Sequence, residues 1–103
     1  MWLFTSQSFL SIVVDKNNPE RRLVRARRRG DIEKLFPNAQ VFEDPSADYR
    51  YRAFVSVEEL IEMTTDYIRG MHYANFKNSI PAGENDYHNA CFDVWSVMRK
   101  LQE

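Results

Sequence analysis

Residues 49–70, YRYRAFVSVEELIEMTTDYIRG, change period partway along, and that change decides the fold. As far as Val55 the side chains alternate, with Tyr49, Tyr51, Ala53 and Val55 on one side, the period-2 signature of a strand. From Ser56 the spacing becomes helical. Ser56 and Glu59 have the spacing of a capping box, in which the serine accepts from the Glu59 N–H and the Glu59 carboxylate reaches back to the cap. Behind them Val57, Leu60, Ile61, Thr64, Ile68 and Met71 predict one apolar helix face ending near Gly70.

Upstream, residues 8–14 read as a strand that is apolar on both faces, with Leu10, Ile12 and Val14 on one and Phe9 and Val13 on the other. Such a strand is central, or its second face is covered. Residues 2–5 form a short strand of their own or the start of this one. Residues 15–20, DKNNPE, are turn chemistry, and residues 22–28 are the return strand of a hairpin. After Gly30-Asp31 a short helix is expected, with Ile32, Leu35 and Phe36 as its stripe and Pro37-Asn38 as its stop. Residues 41–43 are a brief strand. Downstream, residues 72–84 read as an aromatic loop. A last helix from Asn85 or Asp86 carries Tyr87, Ala90, Cys91, Val94, Trp95, Met98 and Leu101 on its apolar stripe.

The expected fold is α+β: one domain over residues 1–103, with a small antiparallel sheet of four or five strands and helices packed on one face. "VRARRRGDIEKL" and "YRAFVSVEELIE" share an Arg-Ala strand running into an acidic helix start, which suggests a duplicated ββα unit.

At 103 residues, 44% hydrophobic and 28% charged, the chain reads as one globular domain rather than a disordered segment. The lone Cys91 has no intramolecular disulfide partner and fits a reducing compartment. The apolar opening lacks a basic start and a small-residue cleavage site, and no run approaches a membrane span. A cytoplasmic location with no membrane partner is expected. A net charge of −1 excludes global attraction to polyanions, so any such attraction must be local.

A local source is present. Between positions 16 and 34 eight cationic side chains face three acidic ones; Arg25 and Arg27 share one face of the strand, and Arg27, Arg28 and Arg29 lie just before a helix start, where backbone N–H groups favour anions. Arginine forks bind phosphate bidentately. Tyr49, Tyr51 and Phe54 would offer stacking surfaces for bases, and Arg52 lies on the same strand. The opposite reading is equally physical. Between positions 43 and 66 seven acids face two arginines, so the two segments cancel, and paired charges hold sheet register. The aromatic loop reads as a lid on the core anchored by Tyr73 and Phe76, or alternatively as a place where Asn75 and Lys77 line a cleft shared with the sheet.

Metal binding and catalysis find little support. His88 and Cys91 are three apart on a helix, but no CxxC, HxxxH or HExxH spacing completes a site, so no metal or cofactor is expected. There is no GxSxG elbow, and Gly30, Gly70 and Gly83 are too scattered for a phosphate-cradling loop.

The segments MWLFT, FLSIVV, LVRARRRGDIEKLFP, DYRYRAFVS and YANFKNS, followed by the Val94-Trp95 pair, resemble a family of short stand-alone bacterial and phage-borne proteins. The family carries no assigned activity. The resemblance therefore implies a self-contained intracellular domain and transfers no catalytic or ligand residue.

The expectation is a non-enzymatic binding module. Arg25, Arg27, Arg28 and Arg29, with Tyr49, Tyr51 and Arg52 and with Asn75 and Lys77, would meet nucleic acid or an acidic protein surface. The alternative is a structural or regulatory homodimer in which the arginines form an internal ion-pair network.

Overall fold

Alternating side chains form the sheet where the sequence alternates. The computed structural model, which describes residues 1–102, has five strands: β1 (Trp2–Phe4), β2 (Phe9–Val14), β3 (Arg21–Ala26), β4 (Phe42–Glu43) and β5 (Tyr51–Ser56). They form one open antiparallel sheet in the order β1-β2-β3-β5-β4. With its helices this is the expected small α+β fold, and β2 is interior as its two apolar faces require.

The register sorts the side chains onto two faces. Leu3, Leu10, Ile12, Val24, Ala26, Tyr51, Ala53 and Val55 share the inner one, where all but the half-buried Leu3 are buried. Ile32, Leu35 and Phe36 from the β3–β4 connection, and Leu60 and Met63 from helix α1 (Val57–Arg69), complete this core. Removing such apolar surface from water is the main force closing the two layers.

Both capping-box bonds are made at the start of α1: the Glu59 N–H donates to Ser56 Oγ and the Ser56 N–H to Glu59 Oε1, each at 3.0 Å. The inward-facing stripe, half-buried, differs from the expected one. Leu60, Met63, Thr64 and Tyr67 face inward, the Tyr67 hydroxyl accepting from the Ser6 N–H at 3.0 Å, while Ile61, Ile68 and Met71 are exposed. Apolar residues stand on two adjacent helical lines here, and the sheet takes the line one position away from Ile61 and Ile68.

The short helix expected over residues 32–36 is only a helical turn, with Lys34 N–H donating to Gly30 O and Phe36 N–H to Ile32 O. Gly30, at φ +88°, and Pro37 leave too few residues between them to offset helix nucleation. Asp31, which stands where a cap would be, is bound to Arg28 and Lys34 instead. The two halves of the ββα echo therefore end differently.

The chain divides into two compact units, residues 1–71 and the residues from His72 onward. The second contains α2 (Phe76–Ser79), α3 (Asn85–Met98) and a 3-10 turn at Arg99–Gln102. The segment expected to be wholly loop thus holds a short helix. Its cap is Asn75, whose Oδ1 accepts from the Asn78 N–H at 3.0 Å. Tyr87 and Cys91 on α3 are buried, but Trp95, Met98 and Leu101 of the expected stripe are exposed. No helix among the described residues is long and apolar enough to cross a membrane.

Candidate functional site

The outer sheet face, away from α1, collects the chemistry. Reading the register across all five strands, Trp2 pairs with Ser11, Ser11 with Arg25, Arg25 with Arg52, and Arg52 with Phe42. One transverse row therefore runs aromatic, hydroxyl, guanidinium, guanidinium, aromatic. Phe4 and Phe9 form a stacked pair on one side of it, and Val13, Leu23 and Phe54 form a parallel row on the other.

Arg25 and Arg52 are thus like charges directly opposite one another, an arrangement that destabilises a sheet unless something compensates. Arg52 is compensated within the fold: its Nε donates to Tyr49 O at 3.0 Å and its Nη2 lies 3.4 Å from Asp48 Oδ1. Arg25 has no carboxylate partner among the described residues. Its Nη2 donates to Ser11 Oγ at 2.7 Å, its Nε is buried without a hydrogen-bond partner, and its guanidinium lies 4.8 Å from the centre of the Tyr49 ring. Arg27 also lacks a carboxylate there. It donates to the Asp48 carbonyl at 2.7 Å and lies 4.3 Å from the same ring.

The other cluster arginines are tied into the scaffold. Arg28 grips buried Asp31 with Nε and Nη2 at 3.0 and 3.2 Å, and Lys34 adds a third contact to that carboxylate at 3.1 Å. Arg29 and Arg50 share Glu43, at 2.9 and 3.3 Å. Arg21 closes the hairpin turn on Asp15, at 2.7 Å from Nη2, and lies over the Phe54 ring. The hydrogen bond from Arg50, and then the neighbouring Arg29, holds the Glu43 carboxyl below its ordinary range. The Asn17 N–H and then Arg21 do the same for Asp15.

The acids divide as well. Glu43 and Asp48, with Asp15 and Asp31, neutralise arginines locally. Glu58, Glu59, Glu62 and Asp66 sit on α1, in the layer covering the inner face, and none makes an ion pair with the arginine segment among the described residues. Arg25, Arg27 and Arg52 thus stand on the outer face, while α1 carries Glu58, Glu59, Glu62 and Asp66 on the other side of the sheet. Glu59, Glu62 and Asp66 rim an open groove of about 250 Å³ floored by Leu35, Phe36 and Met63.

Two anticipated stacking surfaces are closed. Tyr51 belongs to the inner core and is buried. Tyr49 departs from the strand alternation and joins the outer face, where Phe9, Arg25 and Arg27 cover it to 6% exposure. The open rings are Trp2, 65% exposed, with Phe42 and Phe54. Trp2 and Phe42 are the residues that sequence reasoning missed, although the doubly apolar character of β2 already pointed to a second face. Asn75 and Lys77 belong to the other unit, where Asn75 caps α2 and the Lys77 ammonium lies 4.1 Å from the Trp95 ring.

Comparison with protein-family models, with curated proteins and with solved structures finds no match to this chain.

Proposed function

We propose that the protein is a non-enzymatic binding module whose outer sheet face takes the phosphate backbone of a nucleic acid, with Arg25 and Arg27 as principal contacts and Arg52 beside them. The observation that carries this reading is the Arg25–Arg52 opposition, in which Arg25 has no acid and a buried N–H with no acceptor. A phosphate oxygen supplies the missing charge, and the guanidinium fork suits it. The ion-paired arginines, Arg21, Arg28 and Arg29, hold the strand and its neighbouring loops in place.

The test is fluorescence anisotropy of labelled oligonucleotides from about 50 to 200 mM salt, the range in which phosphate contacts show themselves. Micromolar affinity that falls steeply with salt, and is lost in Arg25→Gln/Arg27→Gln but kept in Arg29→Gln, is expected. No binding at the lowest salt, or equal binding by the Arg25→Gln/Arg27→Gln variant, overturns the reading.

A further inference from the structure

We infer that the nucleic acid taken by this face is single-stranded, its bases stacking on the rings at the two ends of the transverse row while its phosphates lie over the central arginines. This rests on the nucleic-acid reading above and adds to it which form of nucleic acid is bound.

The open rings stand at the two ends of the row. Trp2 is on one edge strand and Phe42 on the other, and the two are partners of successive members of one row through Ser11, Arg25 and Arg52. With about 4.8 Å between neighbouring strands, the row spans roughly 19 Å. A polymer laid along it meets ring, hydroxyl, cation, cation, ring in that order. Both end rings are backed by others: Trp2 stands edge-on to Phe9 at 5.8 Å, and Phe42 stacks on Phe54 at 5.7 Å. A backed ring is held in orientation, so little side-chain entropy is lost when a base lands on it.

A duplex cannot use the open rings of this surface in the same way, because its base faces are already stacked on each other. The outer face presents side chains of a sheet. An unpaired strand has free base faces, and stacking on aromatic side chains together with a cationic track is the general means of binding it.

Anisotropy titrations of the full chain with a mixed-sequence single strand, its duplex and inorganic polyphosphate at one salt concentration separate the outcomes. The single strand is expected to bind at least tenfold tighter than the duplex. Trp2→Ala and Phe42→Ala are each expected to weaken it about tenfold without changing the salt dependence, because stacking is not electrostatic. In Trp95→Phe the only tryptophan left is Trp2, and its fluorescence should be quenched by the single strand alone; this readout leaves the face intact should either alanine variant fold poorly. Equal affinity for all three polyanions, or an unquenched Trp2, overturns the single-strand inference and leaves phosphate binding standing. Failure of all three to bind removes both.

Discussion

Arg25 and Arg52 stand directly opposite one another across the β3–β5 ladder, on the sheet face that α1 does not cover. The pair persists because Arg52 is occupied by the Tyr49 carbonyl and Asp48, while Arg25 is held by Ser11 and the Tyr49 ring. Removing one of two opposed like charges should relieve the free protein. Arg25→Gln, which removes the charge together with the bond to Ser11, is expected to leave the thermal midpoint unchanged or raise it slightly. A clear fall would show that Arg25 is part of the scaffold.

The neighbouring arginine should behave in the opposite way. Arg28→Ala removes two hydrogen bonds from Asp31, whose side chain is 4% exposed, and leaves Lys34 as its one remaining cation among the described residues. An under-satisfied buried carboxylate costs about 1–3 kcal/mol. Urea unfolding of Arg28→Ala should show that loss, and a midpoint matching the wild type would contradict the scaffold role of Arg28.

The strand-to-helix junction gives a third expectation. Ser56→Ala removes the acceptor for the Glu59 N–H and is expected to cost about 1 kcal/mol. Glu59→Gln should cost much less, because an amide oxygen still accepts from the Ser56 N–H. Equal losses in the two variants, measured by chemical denaturation, would mean that charge at this helix start matters more than the cap bonds.

Acid should unfasten the hairpin turn. The Asp15 carboxyl is held below its ordinary value by the Asn17 N–H and then by Arg21. A group with a lowered folded value contributes fully above its unfolded value, about pH 4, and loses that contribution as pH falls through the lowered one. Asp15→Asn should therefore be less stable than the wild type at pH 7, and the gap should close towards pH 3. A gap constant with pH would show that Asp15 acts through its hydrogen-bonding shape alone.

The parts of the fold carried by local chemistry were legible in the sequence: the change of period at Ser56, the turn at 15–20 and the two apolar faces of β2. Features set by tertiary choice were not. α1 offers two adjacent apolar lines, and only the sheet selects Leu60 and Met63 over Ile61 and Ile68. α2 is shorter than any window in which a helical period shows. At the candidate site the cationic segment was plain, but its division was not. Which arginine meets an acid depends on the β3–β5 register, which brings Arg25 to Arg52, and on a loop that turns Tyr49 onto the outer face. Alternation placed Tyr49 with Tyr51, and the loop overrides it.

The central claim is that Arg25 and Arg27 wait for phosphate while Arg28 does not. The most direct measurement follows the arginine Nε–Hε resonances of the labelled protein as a single-stranded oligonucleotide is added at about 50 mM salt. The account predicts that Arg25, Arg27 and the Trp2 indole shift together and saturate, while Arg28, locked on Asp31, stays in place. Shifts confined to Arg28 or to residues from His72 onward, or no shifts at all, would contradict it.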